Sequence, residues 1–126
     1  MKKFNWQVGK KGEEMARDYL AKKGYRILES NFATRFGEID LICIKDDRLV
    51  FVEVKLKIGE TFGRPEEMID AKKVAQVQKT AQRFLLKNSR LAAKHPVHQI
   101  DAVCIVLAKD GSPSRIDHYE SLTQEL

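Results

Sequence analysis

The chain predicts an α/β fold, a mixed sheet covered by helices. Three observations carry that expectation: two long segments with helical apolar spacing, several runs rich in β-branched residues, and turn-forming residues between them. The element order reads α-β-β-β-α-β-β, which suits helices packed on both faces of one sheet. A length of 126 residues fits a single domain, 1–126, that buries a core without disulfide or metal staples.

Val8, Gly12, Met15, Ala16, Tyr19 and Leu20 recur at helical spacing, so 6–23 reads as an amphipathic helix stopped by Gly24. Residues 25–32 read as the first strand. Residues 38–45 and 48–57 read as the second and third, joined by a two-residue turn at Asp46-Asp47. The stretch 58–65, with Gly59, Gly63 and Pro65, is a loop. Ile69, Val74, Val77, Ala81, Phe84 and Leu85 predict a second long helix over 66–88. Val97–Leu107 is a β-branched strand, and Asp110-Gly111-Ser112-Pro113 turns into a short last strand at 115–120.

Composition excludes some classes. The chain is 43% hydrophobic and 33% charged, with no apolar run near the ~20 residues of a membrane span. Met1-Lys2-Lys3 precedes no apolar signal region, and Cys43 and Cys104 lie in apolar runs without metal-type spacing. Reduced core cysteines and a cytoplasmic setting follow as expectations. The net charge of +5 is unevenly spread: 9 Lys/Arg against 4 Asp/Glu in 1–35, 4 against 6 in 36–60, 8 against 3 in 61–95, and 2 against 5 beyond. Basic helices around an acidic centre suit a polyanion, although Lys-rich solvated helix faces give the same tally.

Charge inside the hairpin is the feature that needs explaining. The two-residue turn opposes Lys45 with Arg48, Ile42 with Phe51, Asp40 with Glu53, and Glu38 with Lys55. Alternation puts Ile39, Leu41, Cys43, Val50, Val52 and Val54 on one face, and Glu38, Asp40, Glu53 and Lys55 on the other beside Ile42 and Phe51. Opposed carboxylates repel at a Cβ separation of roughly 4.5–5.5 Å. Either Lys55 neutralises them as a structural ion cluster, or both hold a divalent cation. Glu13 falls at the border of the first helix's apolar stripe and can lean towards the sheet, or it is an acid favoured by the helix dipole. Glu14 points to solvent.

These residues carry a resemblance. "GEID" followed by "EVK" is similar to the PD-(D/E)xK nuclease core. With "GKKGEEMARDYLAKKGYRILESNFATRFGEIDLI", "LVFVEVK", "FGRPEEMIDAKK" and "IDAVCIVL", nearly the whole chain resembles the YraN-like family of small Holliday-junction-resolvase-like proteins. The resemblance implies a three-layer, restriction-endonuclease-like fold and Mg²⁺- or Mn²⁺-dependent phosphodiester hydrolysis on DNA, branched or otherwise structured. It implies metal ligands at Asp40, Glu53 and the Val54 carbonyl, with Lys55 orienting water and stabilising phosphate charge, and Glu13 contacting the metal directly or through water. Gly37 would permit a close backbone approach. Arg35, Lys57, Arg64 and Lys73 are the implied nucleic-acid contacts, and a homodimer is the analogous assembly. Leu56-Lys57 departs from the family's Thr-Arg, and Gln76 stands where a basic residue is frequent. The alternative is a non-catalytic nucleic-acid-binding or assembly protein that keeps the fold.

Other polar residues have plainer readings. Phe4 and Trp6, near Lys2, Lys3, Lys10 and Lys11, form a hydrophobic staple or a stacking group. His95 and His98 are loop histidines, the metal alternative lacking an adjacent partner. Asp101 caps its strand or braces a basic side chain. The 58–65 loop is ordinary, or a flap that carries Arg64 to substrate.

Overall fold

The computed structural model describes the backbone of residues 2–122 and the side chains from Val8 to Leu122. The expected staple or stacking group at Phe4 and Trp6 lies outside the described side chains. The elements are α1 (Lys2–Lys22), β1 (Arg26–Thr34), β2 (Gly37–Lys45), β3 (Arg48–Ile58), a 3-10 turn (Pro65–Met68), α2 (Ala71–Lys87), α3 (Ser89–Lys94), β4 (Val97–Leu107) and β5 (Pro113–Tyr119). The strands form one sheet in the order β1-β2-β3-β4-β5, parallel only between β3 and β4. This is the mixed α/β sheet and the order of elements that the sequence predicts, with α3 added.

Two apolar layers hold the helices to it. On one face Ala16, Leu20 and Tyr25 pack on Leu41, Cys43, Val50, Val52, Val103 and Ile105. On the other, Val74, Val77, Ala81 and Phe84 of α2 pack on Ile42, Ile44, Leu49, Phe51 and Ile100. Phe84 meets Phe32 and Phe51 edge-to-face at 5.3 and 5.8 Å. Burying a Phe completely contributes about 1.5–3 kcal/mol, so this aromatic group fixes α2 over the hairpin. Both cysteines are buried and free, their thiols pushed up to about 12 chiefly by burial.

Three expectations are corrected. The second helix starts at Ala71 rather than 66, because Asp70 is extended and its Oδ1 accepts from the Lys73 amide at 2.8 Å. Ile69 therefore belongs to the preceding turn. The first helix starts earlier, at Lys2. Ile39 packs with the α2 layer rather than with Leu41 and Cys43. Its neighbour across the ladder is Phe32, whereas Leu41 faces Ser30. Phe32 packs in that same α2 layer, and Asn31, next to it on β1, has φ 55°.

Candidate active site

The β2–β3 register runs as expected from Lys45↔Arg48 through Ile42↔Phe51 to Leu41↔Val52, where the ladder ends. Asp40 and Glu53 are thus not ladder partners, a correction to the simple hairpin. Asp40 Oδ2 instead accepts from the Val54 amide at 2.7 Å. A carboxylate has replaced a backbone carbonyl there, and the strands part beside it.

The opening is a cavity of about 720 Å³ lined by Gly9, Lys10 and Glu13 of α1, Asn31 of β1, Glu38 and Asp40 of β2, Glu53, Val54 and Lys55 of β3, and Lys73 of α2. All of the expected catalytic and metal residues therefore meet in one place. Gly12 brings α1 this close: a Cβ there would stand 3.0 Å from Leu56 Cβ. Glu13 turns inward, its Oε1 accepting from Asn31 Nδ2 at 3.3 Å, while Glu14 is exposed. Gly37 is also explained. It has φ 149°, and a Cβ would lie 2.7 Å from Gln76 Nε2, which donates to the Phe36 carbonyl at 2.9 Å. This contact fastens the β1–β2 turn to α2.

The cavity's charges are unequal. Glu53 is buried (3% exposed), and its Oε2 lies 2.8 Å from Lys73 Nζ. That oxygen has no hydrogen-bond partner among the described residues, so the lysine approaches it as a charge but off hydrogen-bonding geometry. Asp40 is raised to about 8, first by burial, then by the Glu53 carboxyl as hydrogen-bond partner and like charge; the Val54 amide and Lys55 oppose this. Lys73, not Lys55, is thus the cation paired with Glu53. Lys55 lines the cavity without an ion pair among the described residues.

The remaining expected contacts are dispersed. Arg35 lies over the Phe36 ring, 5.1 Å from its centroid. Lys57 Nζ donates to the Phe62 carbonyl at 3.3 Å. Arg64 pairs with Glu60 and Glu66 at 4.0 and 3.6 Å. None of these three lines the cavity. The loop after β3 is pinned: Arg115 donates to Glu60 and Glu66, and Tyr119 donates to Glu66 at 2.7 Å. These bonds hold the Glu66 carboxyl down at about 2.

Sequence reasoning missed His118. Its Nε2 lies 2.8 Å from Asp101 Oδ2 and its Nδ1 2.7 Å from Lys23 Nζ. Together with Glu120, these residues form the one triplet of His, Cys, Asp and Glu among the described residues whose ligand atoms fall within 4.8 Å. A lysine ammonium only donates, so Nδ1 accepts and Nε2–H donates to Asp101. Both ring nitrogens are engaged, and the group is a structural latch between the end of α1 and strands β4 and β5. His95 and His98 bond to the carbonyls of Asp46 and Ala92.

The sequence profile described as uncharacterised protein family UPF0102 matches residues 12–105. The chain belongs to this family. The UPF0102 protein of Syntrophomonas wolfei is 46% identical over 115 residues, 91% of this chain and 96% of the relative. That of Persephonella marina is 54% identical over 84 residues, covering 67% and 72%. That of Thermodesulfovibrio yellowstonii is 37% identical over 115 residues, covering 91% and 94%. UPF0102 is the YraN-like group that the motifs suggest. Among the described residues, no UPF0102 helix here is long and apolar enough to cross a membrane.

Proposed function

We propose that this protein is a divalent-cation-dependent phosphodiesterase acting on DNA, branched or otherwise structured, with its site in the Asp40/Glu53 cavity. The observation that carries the reading is Glu53 Oε2, a buried carboxylate oxygen 2.8 Å from Lys73 Nζ yet without a hydrogen-bond partner among the described residues, beside the half-buried Asp40 carboxyl. Placing a half-buried acid beside a buried one is costly unless a cation joins them. The donors are carboxylate and carbonyl oxygens, the set that hard ions such as Mg²⁺ and Mn²⁺ take.

Asp40, Glu53 and the Val54 carbonyl would hold the ion, and Glu13 lines the same cavity. When bound, the ion supplies Lewis-acid polarisation of a phosphate oxygen and offsets its charge. Lys55, without an ion pair among the described residues and lining the same cavity, orients the attacking water and stabilises charge developing on the phosphate. Lys73 sits at the rim, where it steadies Glu53 and can reach a phosphate oxygen. Buried, free Cys43 and Cys104 accord with a cytoplasmic setting.

A cleavage panel tests this reading: linear, flap, single-stranded and four-way-junction DNA with Mg²⁺ or Mn²⁺, beside Glu53→Ala and Lys55→Ala. The expected result is cutting of at least one substrate by the native protein, lowered at least ~100-fold in either variant. Equal cutting by Glu53→Ala, or none of any substrate, would favour the non-catalytic binding protein.

A further inference from the structure

A second groove adjoins the cavity, and Lys73 lines both. It has a volume of about 520 Å³ and runs along α2 past Lys72, Gln76 and Lys79 to Phe36. Its one acid, Asp70, is engaged at the α2 N-terminus by the Lys73 amide. At the far end the guanidinium groups of Arg35 and Arg83 each lie 5.1 Å from the Phe36 ring centroid, one from the β1–β2 turn and one from α2. Two elements distant in sequence thus bring two like charges onto one ring. Among the described residues, none of Lys72, Lys79, Arg35 or Arg83 has a carboxylate partner.

Lys72, Gln76, Lys79 and Arg83 follow one another at four, three and four residues, a single stripe on α2. At 1.5 Å per residue it spans roughly 16 Å. Gln76 is not free to bind, since it ties the Phe36 carbonyl to the helix and so holds the ring that carries both arginines. A guanidinium stacked on an aromatic face keeps its N–H edge available for bidentate contact with phosphate. In the first basic segment, by contrast, Lys11 donates to the Gly111 carbonyl and Lys23 is engaged with His118.

We propose that the α2 groove is the track of one nucleic-acid strand, gripped by Lys72, Lys79 and the Arg35/Arg83 pair, whose phosphate passes Lys73 into the carboxylate cavity. The proposal rests on the phosphodiesterase reading for its direction, though the grip itself needs no metal. Cations gathered along one groove, none with a carboxylate partner among the described residues, call for a polyanion such as a phosphodiester strand.

The test is fluorescence anisotropy of a labelled oligonucleotide in EDTA across a salt series, so that nothing is cut and no ion contributes. The quadruple variant Lys72→Ala/Lys79→Ala/Arg35→Ala/Arg83→Ala should bind at least tenfold more weakly. Its slope of log K against log[salt] should fall by about 2–3, as expected for four lost single-strand contacts at ~0.7 each. A control, Lys22→Ala/Lys94→Ala, should bind within about twofold of the native protein. Phe36→Leu keeps apolar bulk but loses the ring face, and should weaken binding several-fold while leaving Mn²⁺ binding by calorimetry unchanged. All of the charged side chains substituted are exposed or at an edge, and thermal melts monitor the fold. Native-like affinity in the quadruple variant, an equal loss in the control, or equal competition by polyglutamate would overturn the track. Loss of strand binding in the groove variants alone supports it even if the native protein fails to bind Mn²⁺; that failure would sink the hydrolytic reading by itself.

Discussion

Lys73 Nζ, 2.8 Å from Glu53 Oε2, is the one cation paired with this buried carboxylate among the described residues. A divalent ion must compete with it. Lys73→Ala should therefore tighten Mn²⁺ binding about five- to tenfold by calorimetry. The same change should destabilise the metal-free protein by about 1–3 kcal/mol, through the unpaired Glu53. Weaker Mn²⁺ binding in that variant would make Lys73 a support of the site rather than a competitor. Asp40 gives a pH signature. Its folded carboxyl titrates near 8, against an ordinary value of 3.8, because of burial and then Glu53. The folded protein thus holds the extra proton between about pH 4 and pH 8, and metal-free stability falls as pH rises through that window. Melting in EDTA should show this decline in the native protein and a flatter profile in Asp40→Asn, which can still accept the Val54 amide. Parallel profiles for the two would contradict the assignment. The Asp40, Glu53, Lys55 set was legible in the sequence, since charge in a strand is conspicuous. Lys73 as partner of Glu53 was not, because the pair depends on how α2 lies across the sheet.

The turn at Asp46-Asp47 sets the hairpin register, which is why the β2–β3 pairing could be read from so few residues. Ile39 shows where such reading fails. Strict alternation groups it with Leu41 and Cys43, yet it packs with Ile42 and Phe32 in the α2 layer. A similar limit hid the α2 start: Ile69 fits a helical period, yet Pro65–Met68 form a 3-10 turn, with Glu66 held by Arg115. The six-residue α3 buries no side chain and so leaves no apolar period. At this scale the decisive junction is Gly37 against Gln76. Gly37→Ala adds a Cβ 2.7 Å from the amide nitrogen, at a φ that L residues avoid. It should cost about 1–3 kcal/mol in denaturant unfolding and weaken oligonucleotide binding through displacement of Phe36. An unchanged unfolding midpoint would show that the turn and α2 are not fastened there.

Across the whole molecule, two apolar layers press helices onto opposite faces of one sheet, and the functional residues gather where the β2–β3 ladder gives way. That location follows from Asp40: by taking the Val54 amide, it ends strand pairing and turns its own carboxyl towards Glu53. The general layout, basic helices around an acidic centre, was visible as a charge profile. The latch of Lys23, His118 and Asp101 was not, since its members are near neighbours only after β4 and β5 pair. The central claim is that the two carboxylates form one cation site. Titration calorimetry of Mn²⁺ into metal-free protein, native and Asp40→Asn, tests it most directly. One ion per chain is expected in the native protein, with at least tenfold weaker binding in the variant. No binding heat, or the same isotherm for both proteins, would contradict it.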